Sequence, residues 1–186
     1  MPPVYLLDTN VLIPFFSKDF LFELGGRGLP VRWSRNIEVE FRRVWARLFP
    51  DIPTHADSIL DLAHAVIPDW RAPEDKRVAM TASLPDADDR HVLAAAVGCG
   101  ATVIVTRNLR DFPPEILGPY EIEAQTPDQV ISTLYDVRPD FVTAAASAMR
   151  ARLKRPPMTA DEWLDGLAKG QLVEVARRLQ RHRCEL

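Results

Sequence analysis

The sequence has little cysteine and no long apolar segment. Two cysteines among 186 residues, Cys99 and Cys184, are too few for a disulfide framework, so we expect a reducing compartment. No apolar run approaches the roughly 20 residues that span a bilayer. The N-terminal segment also lacks the basic region and apolar core of a signal peptide. We therefore predict a cytoplasmic protein.

Two missing motifs exclude two classes of α/β enzyme. The chain has no Gly-x-x-x-x-Gly-Lys segment, which excludes a phosphate-loop nucleotide hydrolase. A phosphatase of the HAD type has an aspartate after its first strand and needs a second one two residues later. Here Asp8 is followed at that spacing by Asn10, which argues against such a phosphatase.

The chain also lacks the strong positive charge of many nucleic-acid-binding proteins, because its net charge is −3. The charge is unevenly distributed. Residues 1–137 hold 13 basic and 20 acidic side chains, whereas residues 138–186 hold 10 basic and 6 acidic ones. A basic tail on an acidic body is compatible with RNA or an acidic partner, and also with a solvated helix face.

Strands alternate with helices in the first part of the chain. Val4–Leu7 is a short apolar run typical of a buried strand, and the β-branched run Thr102–Thr106 is the clearest strand signal. A further short strand is predicted near Tyr120–Ala124. This alternation favours an α/β fold with a parallel sheet over residues 1–137. Residues 138–186 are predicted to be a helical extension.

Helix signals flank these strands. The predicted helices cover a stretch up to Phe22, Ser34 to about Leu48, Thr54–Val66, Asp86–Val97, a segment beginning at Thr126, about Pro139–Leu153, a segment beginning at Thr159, and a last one carrying Leu172 and Leu179. Thr126 and Thr159 each begin a capping box, with Gln129 and Glu162 three residues later. The segment Pro68–Pro85 is polar and irregular and has room for a short strand, and Pro156-Pro157 is predicted to be a linker.

Asp8 stands at the end of the first predicted strand. In open parallel sheets, binding sites form beyond the carboxyl ends of the strands, so a carboxylate there favours a functional role. The alternative is that Asp8 caps the next helix through the amides of Asn10 and Val11.

Glu40 flanks the apolar stripe of its helix, three residues after Ile37 and four before Val44. A carboxylate so close to a buried face needs a cation, a hydrogen-bond network or a metal. The alternative is an edge residue paired with Arg43.

Two further acids are expected at the same edge of the sheet. Asp89 lies in an aspartate-rich first turn, a feature that by itself indicates only helix-dipole complementarity. The small-residue helix that follows returns to the strand Thr102–Thr106, which places Asp89 near Asp8. Asp111 and Asn108 lie in the loop after that strand, where Asp111 could also be a simple turn residue.

Four carboxylates therefore converge in this interpretation: Asp8, Glu40, Asp89 and Asp111. Such like charges are unfavourable together unless a cation offsets them. Ligation by oxygen alone suits Mg²⁺ or Mn²⁺ rather than zinc. A hard cation held there can activate water and stabilise charge on a phosphodiester, whereas His91 is expected to have a supporting or solvent-facing role.

Four segments in order carry a resemblance to a known family. They are Asp8-Thr9-Asn10-Val11-Leu12, Ser34-x-x-Ile37-x-x-Glu40, Asp86–Ala96 and Val105–Pro113. Together they resemble the successive motifs of PIN-domain proteins over about residues 3–135. The helical tail is similar to extensions found in a subset of these proteins.

The resemblance implies a PIN-like parallel sheet flanked by helices, with an acidic pocket at its C-terminal edge. It implies a metal-dependent ribonuclease that uses Mg²⁺, or Mn²⁺ in its place, and that serves as a toxin of the VapC type beside an antitoxin; we also expect a homodimer. By motif position the metal ligands are Asp8, Glu40, Asp89 and Asp111, and the pocket-shaping residues are Asn10, Thr106 and Asn108. Family members differ over whether the position of Asn108 or that of Asp111 supplies the fourth ligand, and Asp86 and Asp88 receive no ligand role.

Two questions stay open at this point. A non-catalytic PIN domain that binds RNA or docks a protein is the alternative function. The tail residues Trp163, Leu164, Leu167 and Leu172 form either a docking stripe or part of the protein's own core.

Overall fold

The computed structural model describes residues 2–154 and 157–186. Within them lies one four-stranded sheet in the order β2-β1-β3-β4, with all strands parallel. The strands are β1 (Tyr5–Leu7), β2 (Val31–Arg32), β3 (Val103–Val105) and β4 (Glu123–Gln125). The predicted α/β fold with a parallel sheet is confirmed.

Helices flank the sheet and continue beyond it. They are α1 (Thr9–Leu12), α2 (Phe15–Gly26), α3 (Arg35–Leu48), α4 (His55–Val66), α5 (Lys76–Thr81), α6 (Arg90–Gly98), α7 (Pro114–Leu117), α8 (Pro127–Val137), α9 (Pro139–Arg152), α10 (Ala160–Lys169) and α11 (Val173–Leu179). Short 3₁₀ helices cover Ala87–Asp89, Leu109–Asp111, Gly118–Tyr120 and Gln180–His182. None of the helices in the described ranges has both the length and the apolar character needed to cross a bilayer.

The central strands are buried on both faces, which explains their continuous hydrophobicity. Every residue of β1 and β3 is buried, and Leu6 is paired with Ile104 in the parallel register. The small residues Ala94–Ala96 are fully buried, and the helix α6 that carries them packs on β1 and β3. The sheet core therefore holds the carboxyl ends of β1 and β3 side by side.

Several elements differ in extent from the predictions. β2 was not predicted, because two residues after Pro30 are too few to show a periodicity. The interpretation of Pro68–Pro85 as irregular was wrong in one part, since α5 forms there with the Asp75 carboxylate capping its first turn. The helix predicted from Asp86 begins as a 3₁₀ turn and becomes α-helical at Arg90. Both predicted capping boxes form.

The C-terminal helices pack on the sheet domain's own helices. All four residues of the proposed docking stripe, Trp163, Leu164, Leu167 and Leu172, are buried, so they belong to the core. Of the predicted linker Pro156-Pro157, residue 156 lies outside the described residues, and Pro157 forms an isolated bridge with Lys154.

Gly98, the last residue of α6, marks a close approach of two backbones. A Cβ atom there would lie 2.1 Å from the carbonyl oxygen of Pro73. We expect Gly98→Ala to lower the free energy of unfolding by about 2–3 kcal/mol, because backbone on both sides must shift. Thermal unfolding would show a fall in Tm of roughly 5–10 °C for a chain of this size.

A matched control for that prediction is Gly118→Ala. Apart from its chain neighbours, no atom of the described residues lies within 4 Å of a Cβ at Gly118, so we expect the Tm of this variant to stay within about 2 °C of the wild type. A Gly98→Ala protein that melts with the control would contradict the close approach.

Candidate metal centre

Asp8 lies directly after β1 and is only 4 % exposed. Its side chain makes no capping hydrogen bond to α1, which argues against the capping alternative. Instead, Asp8 Oδ2 accepts hydrogen bonds from Asn10 Nδ2 at 2.5 Å and from Thr106 Oγ1 at 2.8 Å. The carboxylate is therefore held by one residue of α1 and by the residue that follows β3, at the edge of the sheet where a ligand can bind.

Glu40 reaches the same region from α3. Its Oε2 accepts a hydrogen bond from Thr9 Oγ1 at 2.5 Å, and its Oε1 lies 3.7 Å from Arg43 Nη2. The pairing with Arg43 considered from the sequence thus exists, but it is the longer contact. The bond to Thr9 ties the carboxylate of α3 to the first residue of α1, next to Asp8.

A third set of carboxylates comes from two short 3₁₀ turns. Carboxylate oxygens of Asp86, Asp89 and Asp111 all lie within 4.8 Å of one another. Asp86 caps the first turn by accepting from the Asp88 amide at 2.9 Å, and Asp111 lies in the turn that follows β3. These three groups could hold a metal ion.

Asp86 is the acid that the sequence interpretation left out of the ligand set. A usable signal was present, because Asp86 and Asp89 are three residues apart, and residues at that spacing share one face of a 3₁₀ turn or of an α-helix.

The polar residues named as pocket-supporting form one network beneath the acids. Thr106 Oγ1, which is fully buried, accepts from Asn10 Nδ2 at 2.9 Å and from the Asn108 amide at 3.0 Å while it donates to Asp8. Asn10 Oδ1 accepts from the Arg107 amide at 2.8 Å. The Asn108 side chain donates to Asp111 Oδ2. Each hydrogen-bonding group of Asn10 and Thr106 is therefore used.

One open cleft of about 410 Å³ brings most of these residues together. Its lining includes all four predicted acids together with Asn10, Asn108 and Asp86, whereas Thr106 lies buried behind it. Five carboxylates and one arginine, Arg47, line this cleft. Ile13, Pro14, Val44 and Leu48 supply an apolar wall.

The crowding of carboxylates shows in their pKa values. Burial, together with the charge of Glu40, raises the pKa of Asp8 to about 6, although the Thr106 hydroxyl partly offsets this. Burial and the neighbouring charges of Asp8 and Asp111 raise the pKa of Asp89 to about 7. A carboxylate resists ionisation in this way where no cation compensates it.

His91 is the nearest imidazole to the acids. Its Nε2 lies 3.5 Å from Glu40 Oε2, and its Nδ1 lies 2.7 Å from the Asp88 carbonyl oxygen. The contact with His91 is the main reason that the pKa of Glu40 is lowered. Burial alone would lower the pKa of His91, but the contacts with Glu40 and the Asp88 carbonyl raise it. The ring therefore lies against a carboxylate of the cleft, and its supporting role stays a prediction.

The donor set of the cleft fits a hard divalent cation. The converging side chains offer carboxylate and amide oxygens, and no cysteine lines the cleft. Oxygen ligands of this kind suit Mg²⁺, Mn²⁺ or Ca²⁺ rather than zinc or copper. The raised pKa values of Asp8 and Asp89, which come first from burial and then from neighbouring charges, are the second observation that fits, because a bound cation would favour the ionised carboxylates and offset both effects.

Comparisons with known proteins find two family models and one relative that match parts of the chain. A family model described as "PIN domain" matches residues 4–110, and one described as "VapC50 C-terminal domain" matches residues 127–181. The chain is 42 % identical over 93 residues to the "Putative ribonuclease VapC50" of Mycobacterium tuberculosis. That match spans 49 % of this chain and 55 % of the relative. No solved structure matches the chain significantly.

Proposed function

Because the chain belongs to the PIN-domain family, we propose that it is a metal-dependent endoribonuclease that hydrolyses RNA phosphodiester bonds. We further propose that it is the toxin of a toxin–antitoxin pair and inhibits translation or growth in the cytoplasm. The resemblance to VapC-type members that the sequence indicated is confirmed by the two family models and the relative. The relative's description as a ribonuclease supports the activity proposed here.

One observation carries the proposal, namely the convergence of five carboxylates in an open cleft at the carboxyl edge of β1 and β3. A cluster of this kind that served only the fold would lower stability, because like charges repel and the buried ones are desolvated. A function that needs a divalent cation explains why the arrangement exists. The openness of the cleft to solvent suits a polymeric substrate such as RNA.

We assign the metal ligands as Asp8, Glu40, Asp89 and Asp111. Mg²⁺ is the expected ion and Mn²⁺ can substitute, since both prefer oxygen ligands. When bound, the ion activates water and stabilises negative charge on the phosphate. Between the two candidates for the fourth ligand, the geometry favours Asp111, because Asn108 donates its amide to that carboxylate.

The chain's own residues supply position rather than chemistry in this proposal. Asn10 and Thr106 orient the Asp8 carboxylate, and Thr9 and His91 orient that of Glu40. Orientation by such partners stabilises a ligand set and raises the affinity for the ion. Asp86 is placed to join the set or to orient Asp89 and Asp111, with which it shares the close group.

The partners follow from the same assignment. We propose RNA as the substrate and a cognate antitoxin protein as the inhibitor, and we expect the toxin to be a homodimer. We also propose that residues 1–137 form the PIN nuclease domain and residues 138–186 a helical extension. A C-terminal family model matches residues 127–181, a region that contains α8 as well as most of the proposed extension.

Cleavage of total cellular RNA by the purified protein tests the activity. We expect cuts with Mg²⁺ and with Mn²⁺, and none with a chelator, because water activation requires the ion. Mapping the cut ends would identify the RNA and the cleaved sequence. Intact RNA under every metal condition, in a preparation shown to be free of a bound inhibitor, would contradict the nuclease.

The alternative is a non-catalytic PIN domain that binds RNA or docks a protein. Calorimetry of Mn²⁺ binding distinguishes this alternative from a nuclease. A nuclease should bind Mn²⁺ at the acidic cleft, whereas a docking module has no reason to do so. Intact RNA together with absent metal binding would favour the docking module.

A further inference from the structure

The side chain of Arg107 turns away from the cleft and reaches the C-terminal helices. Its Nη2 donates to the Gly170 carbonyl oxygen at 2.8 Å, and its Nη1 donates to Gln171 Oε1. Residues 170 and 171 form the turn between α10 and α11. Nη2 also lies 3.4 Å from the Oγ of Ser17 on α2. One guanidinium therefore joins the loop after β3 to the extension.

The surroundings of this guanidinium are unusual for an arginine beside an acidic cleft. Within the described part of the chain, no carboxylate lies within 4.0 Å of it. Burial lowers the pKa of Arg107, and its Nε is buried without a hydrogen-bond partner. A charge is costly to hold in this way, and here only neutral oxygens of the turn and of Ser17 compensate it.

The backbone of the same residue supports the candidate metal centre. The Arg107 amide donates to Asn10 Oδ1, and Asn10 in turn donates to Asp8 and to Thr106. The next amide, that of Asn108, donates to Thr106. We call this network of Asn10, Thr106 and the amides of residues 107 and 108 the polar base of the cleft. The main chain of Arg107 is part of this base, and its side chain contacts the extension.

The extension is firmly seated where Arg107 meets it. A Cβ atom at Gly166 of α10 would lie 2.5 Å from the ring of Phe16, and the Trp163 ring packs edge-on against the same phenylalanine at 6.4 Å. Phe16 lies on α2, two residues after Pro14 of the cleft wall. The turn at residues 170–171 is therefore a fixed support rather than a loose tail.

We propose that Arg107 is a positioning residue, through which the C-terminal helices hold the loop after β3, and with it the polar base of the cleft, in the arrangement that binds the metal. The effect on the loop is independent of the activity, whereas the effect on catalysis rests on the proposed function. In this proposal the extension holds the loop beside the metal site, in addition to contributing buried residues to the core.

The most discriminating variant is Gln171→Gly. Gln171 has a backbone φ of 66°, in the left-handed region that favours glycine. The substitution removes the side chain that Arg107 contacts, while it relieves backbone strain, so Tm should stay unchanged or rise. Glu121→Gly is the matched control, because Glu121 is exposed, has φ of 57°, and lies after the 3₁₀ helix Gly118–Tyr120, two residues before β4.

Amide hydrogen exchange of the metal-free protein is the primary measurement. In Gln171→Gly we expect the Arg107 and Asn108 amides to exchange about tenfold faster. The loop after β3 should open more readily, because the Arg107 side chain no longer contacts the side chain of residue 171. The amides of Val103–Val105 should keep their wild-type rates. Glu121→Gly should leave every one of these rates unchanged.

Metal binding and kinetics give the second readout. We expect Arg107→Ala to bind Mn²⁺ about tenfold more weakly, as for other residues that orient ligands. Its kcat on RNA should fall by about tenfold or more, with KM changed by less than about twofold. The double variant with Gln171→Gly should be no weaker than Arg107→Ala alone, because both remove one interaction.

The proposal would be overturned if the amides of residues 107 and 108 exchanged at wild-type rates in both Gln171→Gly and Arg107→Ala. Uniformly faster exchange that includes Val103–Val105 would also overturn it, since that result indicates a global loss of stability. If the wild-type protein cleaves no RNA, the proposed function fails, while the exchange rates still decide whether the extension supports the loop.

Discussion

Asp8→Asn should lower the rate of metal-dependent RNA cleavage by about 10³-fold or more, because it removes a charged ligand from the centre of the proposed site. Asp8 is the most buried of the five acids of the cleft, and the amide that replaces it is neutral and binds hard cations more weakly. Mn²⁺ affinity measured by calorimetry should fall in parallel. The measurement is single-turnover cleavage of one mapped RNA at saturating enzyme.

The fold should survive this substitution. Asparagine has nearly the same shape, and its side-chain oxygen can still accept from Thr106 Oγ1 as Asp8 Oδ2 does. A suitable control is Asp69→Asn, an exposed acid in the loop that follows α4. We expect the control to cleave at the wild-type rate. Full metal-dependent cleavage by folded Asp8→Asn would refute the ligand assignment.

The second prediction is that the metal-free protein loses stability as pH rises from about 5 to 8. The folded-state pKa values of Asp8 and Asp89, about 6 and about 7, both lie above the ordinary value of 3.8. At pH values between 3.8 and these folded-state pKa values, the folded protein binds more protons than the unfolded chain, so the free energy of unfolding falls as the pH rises. His91 acts in the same direction, because its pKa is raised and its contribution is lost as it deprotonates.

The expected loss is on the order of 1–3 kcal/mol, or a fall in Tm of roughly 3–10 °C for a chain of this size. Glu40, whose pKa is lowered, contributes its full stabilisation above its ordinary value of 4.5 and loses it only at lower pH, so it does not oppose this trend. The measurement is thermal unfolding in chelator across this pH range.

Added Mg²⁺ or Mn²⁺ should reverse the loss. The ion binds the ionised carboxylates and competes with protons, so Tm should rise more at pH 8 than at pH 5. Asp8→Asn should show a weaker pH dependence in chelator, because one of the raised groups is gone. A Tm that is constant with pH in chelator and unaffected by the ions would argue against carboxylates crowded in this way.

The order of the site along the chain was predictable because its signals are local. The apolar run before Asp8 and the β-branched run before Thr106 identify two buried strands, and parallel strands end at one edge. This is enough to expect Asp8 beside the loop that carries Asn108 and Asp111, and the structure places them in one cleft. The metal-ligand roles of these residues remain predictions.

Features that depend on exact turn geometry were not predictable in this way. The inclusion of Asp86 with Asp89 and Asp111 depends on how closely the 3₁₀ turn Ala87–Asp89 approaches the 3₁₀ turn Leu109–Asp111, and no local pattern determines that distance. β2 is likewise too short to have a sequence signal, and it forms because its backbone pairs with that of β1.

The sequence by itself determined the fold class, the helix starts at Thr126 and Thr159, and the acids available to a metal, because these depend on residue type and near neighbours. Only the tertiary structure decided which groups meet across the chain. Arg107 and Gln171 are 64 residues apart, and nothing local to either predicts their contact. It forms because α10 packs on α2 beside the cleft, and packing of this kind is a property of the whole core.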